Sequence, residues 1–144
     1  MRKIHFLSAC LLGAAISATA AEPIGYVKTV TGDGFVISAG KSTKAIAGSP
    51  LQVGDTLKTS ANSSLGLTLK DNTLMSFGPS TEFTIDEFLF APSKGELKLG
   101  GKIAGGTLNY VSGAIAKLKP DAVTMRTPTG TIGIRGTHFV LKVE

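Results

Sequence analysis

The sequence predicts an all-β fold, and three observations carry the prediction. Apolar residues alternate with polar ones in segment after segment, the period-two signature of half-buried strands. Glycine fills 18 of 144 positions while charged residues make up only 17%, a composition that disfavours long helices. Turn chemistry recurs about every eight to twelve residues, the spacing of a sandwich or barrel. We therefore expect short antiparallel strands in a sandwich or a β-solenoid-like arrangement. The length suits one domain, and a hydrophobic share of 42% is ample for a core.

The opening segment reads as an export signal. Arg2 and Lys3 precede the apolar run Ile4 to Ile16, and the small-residue triplet Ala18-Thr19-Ala20 follows. A positive start, an apolar middle and an A-x-A end are the three parts of a secretory signal peptide. The run is short for a membrane span, which needs roughly 18 apolar residues. We expect residues 1–20 to form a signal helix that is cleaved off, and residues 21–144 to form a single β domain that does not span the membrane. Leu7-Ser8-Ala9-Cys10 resembles a lipobox, but only about four apolar residues precede Cys10, fewer than the ~7–15 a signal requires, so a lipoprotein is disfavoured. Cleavage removes two of the fifteen basic residues, leaving thirteen against ten acidic, so the pI of 9.5 overstates the basicity of the working protein. It also removes Cys10, the one cysteine. That excludes a disulfide framework and a cysteine zinc cluster, and suits an oxidising periplasm.

From residue 25 onward the strands follow in order. Gly25–Thr31, Gly34–Ser38 and Thr56–Thr59 are the first candidates. Leu65, Leu67 and Leu69 alternate with Gly66 and Thr68. Lys70-Asp71-Asn72 then supplies a turn, because Asp and Asn tolerate left-handed geometry. With 73–77 this reads as a β-hairpin. Gly78-Pro79 ends it, and 81–85 puts Phe83 and Ile85 on one face. Further strands are expected at 96–99, 106–111, 123–126, 131–135 and 139–143. The one helix-like patch is 111–118, weakened by Gly113. Thr73-Leu74 and Thr81-x-Phe83 are faintly echoed by Thr131-Ile132 and Thr137-x-Phe139, as a stacked solenoid or chance in a Thr/Gly/Leu-rich chain would both produce.

Catalytic chemistry finds little support. His138 is the only histidine after residue 5, so a metal site built on histidine pairs is not expected. Alternation with Phe139 places it on the solvated face. A triad hydrolase would show a G-x-S-x-G elbow, which does not occur. Glu82, Asp86 and Glu87 cluster, but an acid/base pair needs one carboxylate in an apolar pocket, and a solvated acidic face is the simpler reading. Gly100-Gly101 and Gly105-Gly106 match no phosphate-loop pattern and read as turns between short strands. Lys94, Lys98, Lys102, Lys117 and Lys119 make one region locally positive. With Tyr110 its only aromatic, no nucleic-acid partner is expected, and attraction to an anionic envelope polymer is the sharper alternative to a solvated face. We expect no enzyme activity, no cofactor and no metal.

The most distinctive stretch is 127–139, T-P-T-G-T-I-G-I-R-G-T-H-F. Pro128-Thr129-Gly130 is a turn. Gly133 and Gly136 would let another backbone approach closely. Arg135, set among apolar and glycine residues, is expected to be partly buried against a carboxylate or carbonyl and to pin two elements together, or else to protrude as an interface anchor. Thr127, Pro128, Gly133, Arg135, Gly136, Thr137 and Phe139 are thus the candidate residues for interaction or for closing the fold.

This stretch resembles the T-P-x-x-x-x-G-I-R-G-T-x-F signature of the FecR domain family. Val53-Gly54-Asp55-Thr56-Leu57-Lys58-Thr59 resembles the family's G-D-x-[hydrophobic]-x-T piece, and Asp71-Asn72-Thr73 its D-G-[ST] turn with Asn72 in place of glycine. Phe77-Gly78-Pro79-Ser80-Thr81 is similar to its G-P element. Gly106-Thr107-Leu108 through Val111-Ser112-Gly113 is similar to the piece upstream of T-P. The resemblance runs from about Gly25 to Val143. It implies a periplasmic all-β domain, which in ferric-citrate-type regulators relays a signal from an outer-membrane transporter to a sigma factor. We expect no cytoplasmic anti-sigma segment ahead of a membrane span, so that role is not carried over. We expect a freestanding, secreted or periplasmic, non-enzymatic FecR-like module that binds another cell-envelope component, with a protein partner and a signalling or scaffold role. The alternative is a peptidoglycan or envelope-polysaccharide binder.

Overall fold

Residues 22–144 are described by a computed structural model, and the expected signal helix and Cys10 lie outside them. Twelve strands are found among the described residues. They are β1 (Gly25–Thr31), β2 (Gly34–Ser38), β3 (Lys41–Lys44), β4 (Pro50–Leu51), β5 (Thr56–Thr59), β6 (Ser64–Leu69), β7 (Leu74–Phe77), β8 (Glu82–Ala91), β9 (Glu96–Val111), β10 (Val123–Thr127), β11 (Gly130–Gly133) and β12 (His138–Val143). One short α-helix, α1 (Ala114–Leu118), lies among the described residues.

All twelve strands belong to one curled sheet, folded over along β9. The C-terminal half of β9 lies between β7 and β12, and β6, β1 and β4 continue outward from β7. Its N-terminal half lies between β8 and β10, with β5, β2 and β3 beyond β8 and β11 beyond β10. The fold is therefore a half-barrel rather than a stacked solenoid. All pairs are antiparallel except β9 with β10, which run parallel, Val123 on Leu99 through Arg126 on Lys102. The echoed threonines sit differently in the fold: Thr73 lies in the turn before β7, whereas Thr131 lies within β11 opposite Arg126.

Glycines explain why β9 is one strand of 16 residues instead of two short ones separated by turns. A Cβ on Gly101 would lie 2.3 Å from the Phe83 ring and 3.0 Å from the Met125 sulfur, so glycine here admits core side chains against a strand backbone. At Gly106 the backbone adopts φ +97, and a Cβ would lie 2.4 Å from Thr81 Cα. Beside it, the register slips between Glu82–Gly105 and Phe83–Ile103, a β-bulge that bends the strand and turns the sheet over on itself. Thr81 fastens this corner: its hydroxyl accepts from the Thr107 N–H at 3.0 Å and donates to the Gly78 carbonyl at 2.9 Å.

The core fills the space between the two halves. Val27, Leu65, Leu67, Met75 and Phe77 face Leu57, Phe83, Ile85, Ile103 and Met125, and Phe77 meets Phe83 with ring centroids 5.0 Å apart. Tyr110 is fully buried and stacks on Phe139 at 4.7 Å. Its hydroxyl lies near Thr73 and Ser112 and makes no hydrogen bond within ordinary limits among the described residues. Burial pushes the phenol pKa above its ordinary value of 10.0. An unfolded chain ionises there and the folded one does not, so stability present below about pH 10 is lost as the pH rises past that value. Tyr110→Phe is expected to flatten this alkaline decline and to leave stability at neutral pH unchanged or slightly higher, which paired alkaline denaturation curves will check.

Candidate functional site

The stretch 127–139 joins two free sheet edges. Thr127 ends β10, and its hydroxyl donates to the Gly130 carbonyl at 3.1 Å, closing the Pro128-Thr129 turn. β11 pairs back on β10, Met125 opposite Ile132 and Arg126 opposite Thr131, and among the described residues nothing pairs with its other side. Ile134 drops into the core, 6% exposed. The chain then crosses to β12, the free edge of the other half. Ser112 holds this crossing, its N–H donating to the Thr137 carbonyl at 2.9 Å and its hydroxyl to the Gly136 carbonyl at 2.6 Å. His138 faces solvent and hydrogen-bonds Asn109 across the β9–β12 pair.

Two local expectations need correction. Gly133 and Gly136 receive no close backbone, since a Cβ at either meets nothing within 4 Å. Gly136 is required for its φ of +128 instead, and the close backbone approaches fall at Gly25, Gly106 and Gly113. Arg135 is not buried. Its side chain is 81% exposed and pairs with an equally open Asp121 at 3.1 Å, on the turn leading into β10. An ion pair this exposed contributes little, so Arg135→Ala is expected to shift stability by less than about 1 kcal/mol in a urea titration.

The acidic cluster does not assemble a reaction centre. Asp86 sits at a second bulge in β8 and takes Arg126 at 2.6 Å, which holds the guanidinium pKa above its usual value. Glu87 pairs with Lys98 at 3.1 Å, and Glu82 with Lys58 at 3.9 Å. Asp86, Glu87, Arg126, Thr124 and Thr131 rim an open polar groove of about 360 Å³, floored by Gly100 and Gly101. Among the described residues no group of three or more His, Cys, Asp or Glu is placed to hold a metal ion. The lysines of the expected basic region are distributed over the 3-10 turn Pro92–Lys94 (Lys94), the exposed side of β9 (Lys98, Lys102) and the end of α1 (Lys117, Lys119).

A cluster missed by sequence reasoning lies behind the motif. Asp71, 1% exposed, accepts from the Thr73 N–H at 3.1 Å, the Thr73 hydroxyl at 2.7 Å and the Ile115 N–H at 3.2 Å. Its carbonyl accepts from Ala114 at 2.7 Å. The helix thus takes its N-terminal cap from a turn 44 residues away, while its own capping position is Gly113. The D-x-[ST] spelling was the available signal.

Together the fold and this surface define an all-β domain whose most distinctive segment ties two sheet edges over one core. A family model described as FecR protein matches residues 55–144, and the chain belongs to that family. The family is one of signalling-related regulatory domains. The match begins at β5, so β1 to β4 extend the sheet beyond it. No curated protein and no solved structure gives a significant match. Among the described residues no helix is long and apolar enough to cross a membrane.

Proposed function

We propose that this protein is an exported, non-enzymatic regulatory module of the cell envelope that works by binding another envelope protein through the surface of residues 127–139. One observation carries the reading: the family's signature segment is spent on exposed edges and a crossing between them. Arg135, Gly136, Thr137 and His138 are all exposed there. Export is supported by the charged, apolar and small-residue order of residues 1–20 and by the lack of cysteine after residue 10.

A photo-reactive residue at Thr137 or Val140, placed in intact cells, is expected to capture a protein in the envelope fraction. The same residue at Lys41, on the opposite edge, is expected to capture none. Salt-sensitive retention on purified sacculi with no protein captured would replace this reading with the polymer one.

A further inference from the structure

Among the described residues the half-barrel has four terminal strands, and three are blunted. β3 reads Lys-Ser-Thr-Lys and is exposed throughout. β4 has two residues and begins with Pro50. β11 has four residues, two of them glycine. Lysines, proline and shortness are the usual protections of an open strand edge. β12 has none of these beyond Lys142: six residues, four of them apolar, pair with β9 on one side and, among the described residues, with nothing on the other.

Beside β12 runs a continuous furrow between it and β11. It comprises two grooves of about 260 and 280 Å³ that share Ile132 and Leu141 in their walls. Phe139, Leu141 and Val143 pack inward against the core yet remain half-exposed along it. Ile132 is 42% and Val140 63% exposed.

We infer that β12 is the acceptor for an added strand, and that its ligand is an extended protein segment with apolar residues at alternate positions and acidic residues between them. The inference rests on the docking reading above and deepens it. Strand addition satisfies the unpaired backbone groups of β12, and the pleat dictates the side chains. Residues on the inner side of the incoming strand cover Phe139, Leu141 and Val143 and lie toward Ile132. Those on the outer side stand opposite His138, Val140 and Lys142. Among the described residues Lys142 has Glu144, 87% exposed, as its acidic neighbour at 3.4 Å, and a cross-strand carboxylate complements it.

The test uses the protein purified from cells and two synthetic peptides, acetyl-Val-Glu-Val-Glu-Val-amide and its lysine counterpart. The acidic peptide is expected to shift the backbone amide resonances of 139–143 and to bind about fivefold tighter than the basic one. Lys142→Glu, an exposed change that leaves the core untouched, is expected to reverse that preference. Perturbation centred elsewhere, no perturbation, or equal binding of both peptides that ignores Lys142→Glu would overturn the inference. If the peptides fail while Val140 still captures a protein in cells, the ligand chemistry is wrong and the docking reading survives. If both fail, docking at this edge is wrong as well.

Discussion

Asp71→Ala is expected to destabilise the domain by about 3 kcal/mol, the cost of orphaning buried donors at roughly 1–3 kcal/mol each. The carboxylate serves two N–H groups and one hydroxyl, and its neighbours Thr73 and Ile115 are both fully buried. Water cannot replace it without opening the core. Helix α1 has five residues, too few to persist without tertiary support, so its first turn loses its fastening along with the cap. Urea denaturation should show the loss directly, and a thermal melt a fall in Tm of roughly 10 °C. Asp71→Asn keeps one acceptor oxygen and should lose about half as much. An alanine variant within 1 kcal/mol of the parent would mean that α1 is held by packing alone.

The second large effect is expected at the sheet corner. Gly106→Ala places a Cβ within 2.2 Å of the Thr81 hydroxyl oxygen and 2.4 Å of its Cα, on a backbone with φ +97. The left-handed conformation costs an L-residue about 1–2 kcal/mol and the steric conflict about 1–3 more, so a total near 3–4 kcal/mol is expected. Gly105→Ala is the control. Its Cβ meets nothing within 4 Å, and it should melt with the parent. Equal melting temperatures for the two variants would show that the corner tolerates a side chain by moving.

The strands with regular alternation were legible in the sequence. β1, β2 and β5 fall where the pattern put them. The hairpin of β6 and β7 turns through Asn72 at φ 66, as its turn chemistry implied. β3 was not legible because all four of its residues are exposed and carry no alternation. β4 is too short to show any. β9 was read as two strands because Gly100-Gly101 and Gly105-Gly106 look like turns. Only the presence of Phe83 and Thr81 against them reveals that they accommodate neighbours. Arg135 misled for a related reason: apolar residues on either side in sequence suggested burial, yet only Ile134 turns inward. For the candidate site, the spelling of 127–139 located the segment, and the unprotected edge of β12 emerged only once the other three edges were known.

The shared strand has a mechanical consequence. Because β9 carries hydrogen bonds to β7 and β12 at one end and to β8 and β10 at the other, melting either face strips partners from a strand that the other face also uses. Load applied at β12 enters the one strand that both faces have in common.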